Sequence, residues 1–176
     1  MALARTLIRA YAAEHATEVE PDPAACLLAA NDRIVTDTHS DLFVTVFYGI
    51  LDPADGTLTF CNAGHNPPCL ARADGQPIEM LTNTGMALGV IEGVPLDNGQ
   101  VSLAAGDRLV LYSDGLTEAH NSAMEQFGSK RLAEYLAQAA GERVQELHDG
   151  IHSRVREFVK DAPRFDDLTL MVVGRQ

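Results

Sequence analysis

The sequence predicts an α+β domain in which antiparallel strands are bracketed by helices at both ends of the chain. Three observations carry that reading. Apolar residues recur at helical spacing near both termini, the middle of the chain changes to short β-branched and aromatic runs, and Gly, Pro, Asn and Asp separate those runs. Such punctuation suits tight turns between neighbouring strands better than long crossovers. At 176 residues the chain is expected to form one globular domain spanning 1–176, because about 100–200 residues bury a sizeable core without dividing.

Residues 1–15 place Leu3, Leu7, Ile8 and Tyr11 at helical spacing with alanines between them. A second helix is predicted from Asp22 to about Ile34, with Pro21 and Pro23 at its start and Leu27, Leu28 and Ile34 on its apolar side. From Leu42 the stretch LFVTVFYGIL is apolar on both alternating faces, which predicts a strand buried on both sides of its sheet. DPADGT follows, and Leu58 to Cys61 resumes the apolar character, so a hairpin turning at Asp55-Gly56 is expected. Further short strands are predicted at Pro68–Ala71, Val101–Leu103 and Arg108–Tyr112. The helical period returns near Ser129–Ala139 and again in ERVQELHDGIHSRVREFVK, and a last strand is predicted over Leu168–Val173.

Composition limits the function classes. Apolar residues make up 46% and aromatics 6% with no Trp, which excludes disorder by composition and predicts a core of Leu, Val, Ile and Ala. Thirteen basic against 25 acidic side chains leave a formal charge of -12 without a Lys/Arg cluster, so nucleic acid is not an expected partner, whereas cations or basic proteins suit the surface. Cys26, Cys61 and Cys69 are odd in number and lack CxxC spacing, which supports neither a disulfide framework nor a zinc knuckle and fits a reducing cytoplasm. No signal peptide and no apolar run of membrane-spanning length is read, so no membrane association is expected.

Two segments share one design, an aspartate at the end of an apolar strand: Asp114 after LVLYS, and Asp166 with Asp167 before LTLMVV. Each alone reads as an ordinary turn former. If the strands are neighbours, their ends form a carboxylate cluster suited to a hard divalent cation such as Mg²⁺ or Mn²⁺. Gly115 reads either as a turn glycine or as a place where backbone passes closely. Glu118 either faces the site or is an exposed acid in the first turn of a helix. His148 and His152 have the spacing of a zinc pair but flank an apolar stripe without a nearby third ligand, and are read as surface residues.

The segments FVTVFYGILDPADGTLTFCNAGHNPP, TGMALGV, GDRLVLYSDGLTEA, FGSKRL and DDLTLMVV, in this order, resemble bacterial metal-dependent protein phosphatases of the PPM type, in the SpoIIE/RsbU-like branch. The resemblance covers nearly the whole chain. It implies a sandwich of two antiparallel sheets flanked by helix pairs, and removal of phosphate from Ser or Thr, typically on a small STAS-type anti-sigma-factor antagonist. It also implies catalytic and metal-ligating roles for Asp114 and Asp166, with Asp167 a neighbour of the site rather than a ligand. Two Mn²⁺ or Mg²⁺ ions would hold and activate a water, so no nucleophilic side chain is needed. His65, in NAGHNPP, would either approach the substrate or stabilise its turn, and Gly85 and Gly89 would shape a loop near the cleft.

One departure from the family pattern stands out. A Gly-Asp-x-x-Gly segment that carries a third metal-binding Asp precedes the helix matched by MALARTLIRA, and relative to that pattern the chain is N-terminally truncated. Gly106-Asp107 resembles that segment only as a dipeptide and is assigned to a turn. Two expectations follow: a chain that begins inside a larger phosphatase, joined in its parent to an N-terminal sensor or receiver domain, or a non-catalytic pseudophosphatase module that docks a STAS-like partner. A homodimer is compatible with either.

Overall fold

In the computed structural model, residues 2–15, 21–38, 43–163 and 166–175 are described. The elements in chain order are α1 (Ala2–His15), α2 (Pro23–Thr38), β1 (Val46–Leu51), β2 (Thr57–Ala63), β3 (Cys69–Ala71), β4 (Glu79–Met80), β5 (Gly99–Ser102), β6 (Arg108–Tyr112), α3 (Asp114–Thr117), α4 (Gly128–Gln138), α5 (Val144–Val159) and β7 (Leu170–Gly174). Their contacts divide the chain into two compact units, one formed by residues 1–65 with 82–102 and the other by 66–81 with 103–176. Each unit sets helices against one antiparallel sheet.

In the first unit the sheet order is β1-β2-β5. Asp22 Oδ1 accepts the Ala25 N–H at 2.9 Å and Asn98 Oδ1 accepts the Ala24 N–H at 2.9 Å, so the α2 start has partners for its orphan donors, and Pro23 occupies a first-turn position that needs none. The helix runs beyond the expected Ile34 to Thr38. The Thr36 and Thr38 hydroxyls bond back to the Asp32 and Ile34 carbonyls, and Arg33 pairs with Asp37 at 2.9 Å across the last turn. Ala24, Leu27 and Ile34 pack toward Cys61, Ala63, Leu88 and Val94.

The β1–β2 hairpin turns where the sequence predicts, with Gly56 at φ 83° and Asp52 N–H donating to the Thr57 carbonyl at 2.8 Å. The expectation of a strand buried on both faces is corrected. β1 begins at Val46, lies at the edge of its sheet and is half-buried or exposed throughout, while the central β2 is buried at every position after Thr57. A doubly apolar pattern therefore marked the hairpin but named the wrong arm, because periodicity reports the character of side chains and not the place of a strand in its sheet.

Asn31 is fully buried in α2, where its Oδ1 accepts the Gly89 N–H and its Nδ2 donates to the Ile91 carbonyl, both at 2.9 Å. Asp32 Oδ1 accepts the Gly93 N–H at 3.0 Å. The loop around Gly89, at φ 88°, is thereby fastened to the helix by bonds that replace a sheet ladder.

The second unit has the order β4-β3-β6-β7. β4, only two residues long, carries no readable period and was not expected. Val110, Leu116, Leu132, Leu136, Leu147 and Ile151 form the core between sheet and helices. Gly150 interrupts the helical pattern of α5 at a cost of about 1 kcal/mol against alanine. It is required by packing, since a Cβ there would overlap the Tyr135 hydroxyl of α4.

Asp107 stands in the turn before β6, as the sequence predicts for Gly106-Asp107. It is 2% exposed and accepts the Ala73 and Ala104 N–H groups at 2.9 Å and Arg72 Nη1 at 3.0 Å. Burial pushes its carboxyl up, but the two backbone donors and the guanidinium outweigh that and hold it below the ordinary carboxylate value. Its contribution to stability is complete above the unfolded-state pKa and is lost as pH falls through the lower folded-state value. Asp107→Asn is expected to cost about 2 kcal/mol in urea unfolding at neutral pH, with the gap to wild type narrowing in the acid range below the ordinary carboxylate pKa. A gap that stays constant through that acid range would refute the ionic role.

Candidate metal centre

The register of β6 against β7 pairs Tyr112 with Leu170, so the residues leaving β6 and those entering β7 lie at one end of the sheet. Ser113 laces the two segments together. Its N–H donates to the Thr169 carbonyl at 3.0 Å, its Oγ accepts the Thr169 N–H at 2.9 Å, and the same hydroxyl donates to the Asp167 carbonyl at 3.1 Å. Ser113 is also the N-cap of α3, but its hydroxyl is spent across the strands and makes no capping bond. The short helix is held instead by the Glu118 N–H on the Asp114 carbonyl at 2.8 Å.

Gly115 resolves toward close approach. It is buried, and a Cβ on it would overlap the Asp167 carbonyl. The contact brings the Asp114–Gly115 backbone against the segment that carries Asp166 and Asp167. Asp114 and Asp166 are both exposed, and each has one oxygen on the following backbone N–H: Asp114 Oδ1 on Gly115 at 2.9 Å, Asp166 Oδ1 on Asp167 at 2.7 Å. The second oxygen of each carboxylate has no protein partner among the described residues. Exposed carboxylate oxygens fixed in orientation by backbone donors fit a hard divalent cation. No group of three or more His, Cys, Asp or Glu that could hold an ion is found among the described residues. The two aspartates therefore offer a minority of the roughly six oxygens that Mg²⁺ or Mn²⁺ takes.

A cleft of about 200 Å³ opens beside Asp166, between α3 and α5. Glu118, for which the sequence leaves two readings, lines it together with His152 and Arg156 of α5. Reading His152 as a surface residue missed this placement. The signal was present, since His152 and Arg156 are one turn apart on a helix and share a face. Burial, then the neighbouring His148 and Arg156, hold the His152 imidazole below its ordinary pKa. The His148 and His152 rings stand 4.8 Å apart, and His148 Nδ1 meets Asp149 Oδ1 at 3.1 Å. His65 belongs to the first unit, where its N–H donates to Asn62 Oδ1 at 2.9 Å in the turn after β2.

Replacing Gly115 tests the close approach. Gly115→Ala is expected to lower stability by about 1–3 kcal/mol and to shift the amide resonances of Asp167 and Thr169 more than those of the α4–α5 core. Unchanged resonances at both positions would show that the approach is not tight.

A family model described as Stage II sporulation protein E (SpoIIE) matches residues 1–176. Protein IcfG of Synechocystis sp. is 32% identical over 147 residues, covering 82% of this chain and 23% of that protein. The phosphoserine phosphatase RsbU of Bacillus subtilis is 26% identical over 178 residues, covering 99% of this chain and 51% of RsbU. The chain thus spans about half or less of the length of these curated relatives. The SiaA-PP2C domain of Pseudomonas aeruginosa superposes with a TM-score of 0.82 at 23% identity, over 98% of this chain and 68% of that one. A manganese-presoaked phosphatase domain of SpoIIE from Bacillus subtilis gives a TM-score of 0.64 at 19% identity, over 97% and 72% of the two chains. Helices with antiparallel sheets in this arrangement are the PP2C phosphatase fold, and the chain belongs to the SpoIIE family.

Proposed function

We propose that the chain is the metal-binding part of a SpoIIE-type phosphatase domain that hydrolyses phosphoserine or phosphothreonine on a STAS-type partner protein, with Asp114 and Asp166 as ligands to Mn²⁺ or Mg²⁺. The observation that carries the reading is the β6–β7 register with its Ser113 lacing, which draws the two aspartate-bearing segments to one sheet end. Support comes from RsbU, named a phosphoserine phosphatase, and from the SpoIIE phosphatase domain presoaked with manganese. In the same reading the parent protein is cytoplasmic, carries an N-terminal sensor or receiver domain and can pair as a homodimer, while Asp167 is a neighbour of the site.

Bound divalent ions supply a water of lowered pKa and screen the phosphate oxygens. The chain's own residues do the positioning. The Gly115 and Asp167 N–H groups orient the two carboxylates, and the absence of a side chain at Gly115 permits the segments that bear them to touch. Ser113 keeps that spacing by spending its hydroxyl on both Asp167 and Thr169. A second reading, a partner-docking module without catalysis, draws on the absence of a third acidic ligand among the described residues.

The two readings separate in an assay of phosphate release from a serine-phosphorylated protein by the full-length parent protein with added Mn²⁺. The phosphatase reading expects Mn²⁺-dependent turnover that falls by about 100-fold or more in Asp114→Asn and in Asp166→Asn, beyond the 10–100-fold typical of residues that merely support a metal ligand. Manganese-independent release, or full activity in both variants, would refute the assigned ligands. An inert parent protein at millimolar Mn²⁺ favours the docking module.

A further inference from the structure

We propose that the cleft between α3 and α5 is a specificity pocket, which takes an aliphatic side chain next to the phosphorylated residue of the substrate while Arg156 pairs with an acidic group beside it. The inference rests on the phosphatase reading and names the kind of phosphorylated segment the site accepts. The cleft's volume of about 200 Å³ is below the roughly 300–1,000 Å³ of sites built for small molecules, and suits one or two side chains. Its floor is apolar, formed by Val155, Val159 and Leu168. Burying a single aliphatic side chain there is favourable without any polar match.

Two further observations select the occupant. Asp166 lines the cleft as well as carrying a proposed metal-ligand carboxylate, so whatever fills the cleft lies beside the reacting phosphate and belongs to the same molecule. Arg156 is exposed on the rim and no carboxylate is paired with it among the described residues. In a chain of formal charge -12 a free guanidinium at the rim is a specific attraction for an acidic group on the partner, and its planar fork suits a carboxylate. Glu118 on the opposite side disfavours a second acid at that position.

The test compares two phosphoserine peptides of equal length, each with one glutamate, that differ only in Leu or Ser next to the phosphorylated residue. With the full-length protein, binding is read by fluorescence anisotropy without metal, and kcat/KM with Mn²⁺ is referred to p-nitrophenyl phosphate, which has no flanking residue. The Leu peptide is expected to bind about tenfold more tightly, within the range one buried apolar group supplies. Val159→Asp should abolish the Leu preference. Arg156→Glu should weaken both peptides about tenfold and lower the ratio of peptide to p-nitrophenyl phosphate turnover, with thermal melts reporting whether each variant is folded. Equal binding of the two peptides, or an intact preference in a folded Val159→Asp, would overturn the pocket. Preferential binding without Mn²⁺-dependent hydrolysis of any substrate would uphold the pocket and overturn the phosphatase reading beneath it.

Discussion

One hydroxyl organises the end of the second sheet. Ser113 Oγ accepts from Thr169 and donates to Asp167, and together with the Ser113 N–H on the Thr169 carbonyl it holds the exit of β6 against the entry of β7 beyond the last ladder pair, Tyr112 with Leu170. Without that lacing the Asp166–Asp167 segment would lose side-chain bonds to the β6 end, and holding the two carboxylates in one geometry would cost more conformational entropy at the moment of ion binding. Gly115 serves the same constraint from the other side. Its missing side chain is the space in which the Asp167 carbonyl sits.

Elsewhere the fold is held at a few points by buried polar groups with complete sets of partners. Asn31 and Asp107 are 0% and 2% exposed, and each ties a loop to a regular element through backbone donors or acceptors. Such groups are costly when left unpaired and specific when satisfied, which makes loop position as determinate as strand position. The cysteines behave in the opposite manner. All three are buried, and burial raises the thiols of Cys26 and Cys69 to about 11, so they pack as small apolar residues.

Elements with a strong period or a specific turn were legible in the sequence. β6 matches its expected bounds, α5 follows its Val144–Phe158 stripe, and the Asp55-Gly56 hairpin turns with Gly56 at positive φ. The two acids were legible as strand-end residues before any pairing was known, because Ser-Asp-Gly and Asp-Asp interrupt apolar runs. What escaped was set by tertiary contacts. The exposure of β1 follows from its edge position, β4 exists only because β3 offers a ladder to it, and His152 lines a cleft whose other wall is contributed by residues more than thirty positions away. A one-dimensional pattern carries the period of an element and not the identity of what it faces.

The chain visits its two units alternately, and neither is a contiguous stretch of sequence. β2 waits for β5 across an excursion into the other unit, and β6 waits for β7 across the whole α3–α5 segment. Synthesis from the N-terminus therefore exposes β6 well before its partner leaves the ribosome, and the ends of that strand pair, with the aspartates they carry, are among the last features to assemble. No single cut in the chain releases an intact unit.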